Sequence, residues 1–340
     1  MRTIVLQRPG RFERIQTDAP GEPSPGEALL KVHRIGICGT DLHAYKGDQP
    51  FLSYPRILGH ELGVEVVAVG EGVTGVAPGD RCAVEPYRHR VEDHAARRGK
   101  TNCAEHLSVL GVHEDGGMRE YVTFPARYLH RSEVLSYEQL ALVEPLGIGC
   151  HAVNRAGVTA DDTVLVIGAG PIGLGAMLFA QAAGAPVIAM DIKQDRLAFC
   201  RDALQVAGTI GAGDDAEASI RRHFDGDLPT IVFDATGNPA SMMKAFDYVA
   251  HGGLLVYLGL FQGAVQFHDP MFHRKELTLM ASRNALGSEF RHIIRAIETG
   301  RIETAPWITH QVPFDAMIDH FDAWLHPESR VIKAMVSVTY

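Results

Sequence analysis

The feature that most restricts the fold is a stretch that begins at Thr163-Val-Leu-Val-Ile167 and runs to residue 281, in which short, continuously apolar runs alternate with helical stretches. A continuously apolar strand must be buried on both faces, and intervening helices supply the cover. The pattern therefore predicts a parallel sheet with helices on both sides. Strands are expected at 187–190, 231–233, 254–258 and 277–281, and helices at 172–183, 196–204, 216–223 and 240–249.

The chain outside this stretch reads differently. Residues 1 to about 150 carry modest strand-like runs, at 28–37, 64–69 and 81–84, separated by turn clusters such as Pro23-Ser-Pro-Gly26 and Ala77-Pro-Gly-Asp80. Many turns and short strands predict a partly closed barrel. A helical stretch at 138–155 leads into the alternating region. After Asn284 the alternation fails: helices are expected at 288–298 and 314–325, a strand at 308–312, and a last alternating strand at 331–338 suited to the first region's sheet. At 340 residues two domains are the default. The division expected is 1–149 with 286–340 as one domain and 150–285 as the other.

Composition excludes several classes. A net charge of -9 and a pI near 6.0 lack the basic face that phosphate backbones require, which argues against nucleic acid. No apolar run approaches the roughly 20 residues needed to cross a bilayer, and the N-terminus lacks the apolar core of a signal peptide, so no membrane association and a cytoplasmic location are expected. Five scattered cysteines, Cys38, Cys82, Cys103, Cys150 and Cys200, are an odd set and not a disulfide framework.

Gly168-Ala-Gly-Pro-Ile-Gly173 follows an apolar strand and opens a helix, the context in which a glycine fingerprint signals a dinucleotide. Gly168 permits the tight turn, Gly170 allows close approach of a pyrophosphate, and Gly173 allows helix and strand to pack; Pro171 and Ile172 start the helix whose N-terminus faces the phosphates. Asp191 ends the next strand, where a carboxylate binds the ribose hydroxyls of NAD and repels the extra phosphate of NADP. Lys193 and Arg196 lie close by. NAD is the coenzyme expected.

Cys38-Gly-Thr-Asp-Leu-His43, followed by Gly59-His-Glu61, gathers a thiol, an imidazole and a carboxylate. A catalytic zinc takes about three protein ligands and keeps a position open. Cys38 and His60 supply two, and Glu61 or Glu144 the third. A thiolate and two carboxylates near one point repel each other without a cation. Thr40 can take a proton from an alcohol and His43 can pass it to solvent, while Asp41 is placed to hold His60.

Together these motifs, with Glu144-Pro145, resemble the zinc-containing medium-chain alcohol and polyol dehydrogenases, over nearly the whole chain. Glutamate at position 144 makes the chain more similar to the sorbitol and threonine dehydrogenase branch. Narrower stretches, Ser53-Tyr-Pro-Arg-Ile-Leu-Gly-His60, Val109-Leu-Gly-Val-His-Glu-Asp-Gly117 and 259–276, look like bacterial L-galactonate 5-dehydrogenases and their sugar-acid relatives. The resemblance implies a GroES-like β-barrel catalytic domain and a doubly wound Rossmann domain. It implies one zinc at Cys38, His60 and Glu61, with Glu144 beside it or exchanging with Glu61. It also implies coenzyme contacts at Thr236, Leu258 and Arg283, and a homodimer or homotetramer. The expected reaction is oxidation of a secondary hydroxyl on a polyol or sugar acid by NAD. Arg283 or Arg119 could pair a substrate carboxylate.

One departure from the family concerns its second, structural zinc. The four cysteine positions fall on Arg90, Asp93, Ala96 and Ala104, so no structural zinc is expected, and Arg90, Glu92, Asp93 and Arg97 are expected to form surface ion pairs instead. This loss keeps a non-catalytic NAD-binding regulatory protein in view. A metal-independent reductase of the same fold is a further alternative, set against the presence of Cys38 and Gly59-His-Glu61.

Overall fold

The computed structural model describes residues 1–89, 91–213 and 215–338. The chain divides into two compact units, Met1–Pro145 with Ala285–Tyr340, and Leu146–Asn284.

In the first unit the long strand Glu27–Ile37 is the hub of a seven-stranded sheet. One edge of it pairs with Glu61–Val69, while the other is shared by Tyr121–Pro125 at its start and Lys333–Ser337 at its end. Ala28, Leu30 and Val32 alternate inward, as a half-buried strand requires. Register shifts near Leu29/Leu30 and Val32/Arg34 mark bulges, which bend a strand and help a sheet curl. Ile4, Leu6, Leu30, Ile35, Val64, Phe124, Phe314 and Phe321 fill the core. Lys333–Ser337 joins this sheet antiparallel to Arg34–Ile37, the position its alternation suggested. The continuous helix expected at 314–325 is instead three short pieces, Phe314–Ala316, Met317–Phe321 and Asp322–Leu325.

The second unit is a six-stranded parallel sheet ordered Gly208–Gly211, Val187–Asp191, Val164–Ile167, Ile231–Asp234, Leu254–Tyr257, Thr278–Ala281. In order of occurrence this is 3-2-1-4-5-6, the doubly wound arrangement. Two differences from the sequence reading stand out. Gly208–Gly211 escapes notice because it holds two glycines and one buried side chain, Ile210. Thr278–Ala281 is largely exposed, since it is an edge strand covered on fewer sides than its apolar sequence suggests.

The loop region that lacks cysteine at positions 93, 96 and 104 has its own tie. Asp93 caps the short helix His94–Arg97, and its carboxylate accepts from Ala96 N at 2.8 Å and from Glu105 N. Of the residues expected to form surface ion pairs, and among the described residues, Asp93 bonds backbone amides and Arg97 donates to the carbonyl of Glu92. Glu92 approaches His89 at 3.5 Å. A short helix leaves its first amides unsatisfied, and an aspartate at the cap satisfies one of them. Arg90 lies outside the described residues. None of the described helices is long and apolar enough to cross a membrane.

Candidate active site

The strand Glu27–Ile37 ends at Cys38, which stands at the N-terminus of helix Gly39–Lys46. Asp41 turns back from the first turn and accepts from Cys38 N at 2.9 Å, fixing the backbone that carries the thiol. Gly59, with φ of +92°, turns the chain so that His60 and Glu61 enter the strand Glu61–Val69. Glu61 lies across from Gly36, where a Cβ would stand 2.1 Å from Glu61 Oε2; only glycine leaves the carboxylate room. Ligand atoms of Cys38, His60 and Glu61 come within 4.8 Å of one another, and among the described residues this is the group of three with that compactness.

Glu61 is completely buried, and both its oxygens meet the ammonium of Lys333, at 2.6 and 2.7 Å. Lys333 also donates to Ile37 O at 3.2 Å. Glu144, in helix Tyr137–Ala156 immediately before Pro145, accepts a hydrogen bond from the buried phenol of Tyr87. Neither Lys333 nor Tyr87 is singled out by the sequence reading. Lys333 left one signal, a charge inside the otherwise apolar strand Lys333–Ser337; Tyr87 left none.

Whether these residues suit a cation can be judged from His60. Its Nδ1 and Oδ1 of Asp41 are 4.0 Å apart, both buried and both without a hydrogen-bond partner. Metal-bound histidines usually donate their free ring N–H to such a carboxylate, and a small rotation of the ring would complete the bond. Thiol, imidazole and carboxylate are also the donor types zinc selects. The site fits a zinc ion.

The electrostatics of the metal-free site agree. Burial alone would lower the pKa of His60, but the facing Cys38, with Asp41 and Glu144, raises it well above its usual value. Burial raises Asp41 and Glu144 against the pull of His60. Burial also pushes the Tyr87 phenol well up, aided by Glu144, so it is a hydrogen-bond donor throughout the neutral range. For Lys333 the loss of solvent is outweighed by Glu61 and Cys38, and the group is held charged.

Thr40 is half-buried on the helix Gly39–Lys46. His43 stands exposed on the same helix, with Nδ1 at 2.9 Å from Asp48 Oδ1. Arg119 is engaged structurally: it donates to Asp115 O at 3.2 Å, and burial lowers its pKa.

In the second unit the coenzyme candidates gather at the C-terminal ends of the parallel strands, where open α/β sheets bind their ligands. Gly168 follows Val164–Ile167 with φ of +96°, and a Cβ on Gly173 would lie 1.8 Å from Gly168 O. Gly170 faces open space and caps the helix Pro171–Ala182, whose second residue is Ile172. Asp191 Oδ2 accepts from Ala169 N at 2.7 Å, tying the acidic residue to the glycine turn, and Oδ1 accepts from Lys193 N at 2.8 Å. Arg196 is partly buried, which lowers its pKa against the pull of Asp195 and Asp191. Thr236 follows Ile231–Asp234 and donates to Asp234 at 2.6 Å. Leu258 follows Leu254–Tyr257 and is buried; Arg283 follows Thr278–Ala281 and is exposed.

Two family signatures match this chain: the alcohol dehydrogenase GroES-like domain over residues 24–134 and the zinc-binding dehydrogenase domain over 171–299. L-galactonate-5-dehydrogenase of Escherichia coli K12 is 39% identical over 337 residues, covering 99% of each chain. The chain belongs to the zinc-binding alcohol dehydrogenases. Another member, L-arabinitol 4-dehydrogenase of Aspergillus oryzae, is 32% identical over 92% of this chain and 86% of its own. Among solved structures, the RspB alcohol dehydrogenase of Escherichia coli CFT073, complexed with NADH, superposes with a TM-score of 0.92 at 29% identity over 99% of both chains. As a zinc-binding alcohol dehydrogenase, the chain is an oxidoreductase of a small-molecule hydroxyl that uses a nicotinamide coenzyme. The barrel of its first unit is GroES-like and the sheet of its second is a Rossmann domain.

Proposed function

We propose that the protein oxidises a secondary hydroxyl of a sugar acid, L-galactonate or a close relative, with NAD and one zinc ion per chain. The observation that carries the reading is the buried group of Cys38, His60 and Glu61, with Glu144 close by and an exposed histidine at the end of the same helix turn. When bound, zinc supplies a Lewis acid for the hydroxyl oxygen, and NAD supplies the hydride acceptor. Cys38, His60 and a carboxylate hold the ion, while Asp41 orients the imidazole. The Thr40 hydroxyl accepts the proton of the substrate hydroxyl and hands it towards His43, whose Nδ1 is steadied by Asp48 so that its exposed ring can release the proton to water. Asp191 receives the ribose hydroxyls of NAD, and its charge disfavours a 2′-phosphate. A substrate carboxylate would be met by an arginine, Arg283 or Arg119, through a two-pronged pair of hydrogen bonds.

A polyol substrate is the second reading, favoured by the similarity to L-arabinitol 4-dehydrogenase. The protein assembles as a homodimer or homotetramer; the exposed edge strand Thr278–Ala281, with Leu279 at 37% exposure, offers unpaired backbone for such an assembly. A purely regulatory coenzyme-binding role leaves the buried metal-type group without a use. The deciding experiment is a panel of aldonic acids and polyols, each with NAD and with NADP, followed by coenzyme reduction. L-galactonate with NAD should give the highest kcat/KM. Turnover confined to uncharged polyols contradicts the sugar-acid reading, and NADP preferred over NAD contradicts the role of Asp191.

A further inference from the structure

The first unit holds a cavity that the proposed reaction does not use. Its volume is about 340 Å³, within the range of ligand pockets, and residues of the strand Leu129–Arg131 and of the helix Gly287–Glu298 line it. Two lining residues form a buried pair: Glu85 and His130 are each 5% exposed, and Nε2 of the imidazole stands 2.8 Å from Oε2 of the carboxylate. A carboxylate only accepts, so Nε2 donates and Nδ1 of the neutral ring is left an acceptor. Among the described residues, neither that Nδ1 nor Oε1 of Glu85 has a hydrogen-bond partner. Two acceptors on buried side chains, with no donor from the protein, call for a ligand that brings hydroxyl groups.

The same cavity is positively charged. Arg127 and Arg291 line it against the single carboxylate of Glu85, and Lys100 stands between the lining residues Gly99 and Thr101. The guanidinium of Arg291 makes no ion pair or hydrogen bond among the described residues, and its Nη1 lies 3.6 Å from the point a Cβ on Gly287 would take, a point that Glu85 Oε2 and His130 Cε1 also approach. Arg127 rests on the ring of Tyr128, with its guanidinium carbon 4.9 Å from the centroid. A bare anion would face the two acceptors, and an uncharged polyol would leave the guanidinium groups unused. Phe290 separates the cavity from the metal centre: its ring stacks on His130 with centroids 5.1 Å apart and meets Tyr87, the partner of Glu144, edge-on at 6.3 Å.

We propose that this cavity is a second ligand site, distinct from the metal centre, for a small hydroxylated anion: a sugar acid or a sugar phosphate. Arg127 and Arg291 take the charged group, while Glu85 and His130 accept from neighbouring hydroxyls. Neither zinc nor turnover is needed for the ligand to bind there.

The test uses the full-length protein saturated with NADH, so that the glycine turn is filled. Its arginines are modified with phenylglyoxal, and peptide mass spectrometry reads Arg127 and Arg291 separately. D-gluconate or D-glucose 6-phosphate should protect both arginines, whereas sorbitol and inorganic phosphate, each lacking half of the recognised chemistry, should need concentrations about tenfold higher. Protection by only one of the two sugar anions supports the site and identifies its charged group as carboxylate or phosphate. In Glu85→Gln the advantage of the sugar anion over inorganic phosphate should be lost. Arg291 is exposed, so Arg291→Gln tests the charged half without disturbing the buried pair, and protection of Arg127 should weaken about tenfold in it. Unchanged modification rates with both sugar anions overturn the proposal. Equal protection by inorganic phosphate also overturns it, since the cavity then holds an adventitious ion only, and so does equal protection by sorbitol. Protection of Arg127 that survives undiminished in Arg291→Gln contradicts it as well.

Discussion

At the residue scale the account depends on a small number of buried charges. Lys333 and Glu61 are 2% and 0% exposed and meet through two short contacts. Removing one partner of such a pair leaves the other charged and without solvent, a cost of about 3–5 kcal/mol. Lys333→Met should destabilise the metal-free protein by that amount in urea unfolding, with part of the loss recovered on adding zinc. A loss under about 1 kcal/mol, the size of a surface pair, contradicts the burial of this one. His60 makes a second prediction. Its folded-state pKa is raised, because the charges of Cys38, Asp41 and Glu144 outweigh its burial. Its protonation stabilises the metal-free fold fully below about pH 6.5, the unfolded value, and this contribution is lost as pH rises through the higher folded value. The melting temperature of chelated protein should fall on the alkaline side, whereas that of zinc-loaded protein should hold, since the metal replaces the proton. A flat profile for the chelated protein contradicts this.

The ligand candidates were legible in the sequence because a thiol, an imidazole and acids in two short motifs are uncommon neighbours. Their partners were not. A single tyrosine or lysine carries no spacing signal, and only the fold brings Tyr87 to Glu144 and Lys333 to Glu61, 57 and 272 positions apart.

At the scale of elements, legibility followed burial. The strands Val164–Ile167, Val187–Asp191, Ile231–Asp234 and Leu254–Tyr257 read clearly because a parallel sheet buries both faces. Gly208–Gly211 did not, since an edge strand needs little apolar sequence. The lobe between the strands Tyr87–His89 and Leu107–Val109 is the element whose account departs most from expectation. Asp93, at the position of one family cysteine, bonds the amide of Ala96, at another, and of Glu105, next to a third. One carboxylate thereby ties the helix His94–Arg97 to the segment at Glu105. These bonds lower the pKa of Asp93, so the tie is intact above the ordinary carboxylate range and fails only as pH drops through the depressed value. Asp93→Ala should make the segment 91–105 the first site of limited proteolysis at neutral pH, while Asp93→Asn, which keeps an acceptor, should be cut more slowly. Equal cutting rates for wild type and Asp93→Ala contradict the tie.

At the scale of the whole molecule, the proposed function divides the work between two units, assigning metal and proton transfer to residues of the first and the coenzyme to residues of the second. The glycine turn and the acidic strand end were legible because they belong to a local motif. The barrel was legible only in outline, because the hub strand Glu27–Ile37 draws partners from residues 61, 121 and 333 onwards, and such pairing leaves no mark in any one segment. The central claim is a single zinc held by Cys38 and His60 and required for turnover. It is tested most directly by metal analysis of the purified protein alongside its rate of NAD reduction, for wild type and for Cys38→Ser. The account predicts one zinc per chain in the wild type, with zinc and turnover lost together in Cys38→Ser while NAD binding persists. Undiminished turnover in protein with no bound zinc, or a near-normal rate in Cys38→Ser, would contradict it.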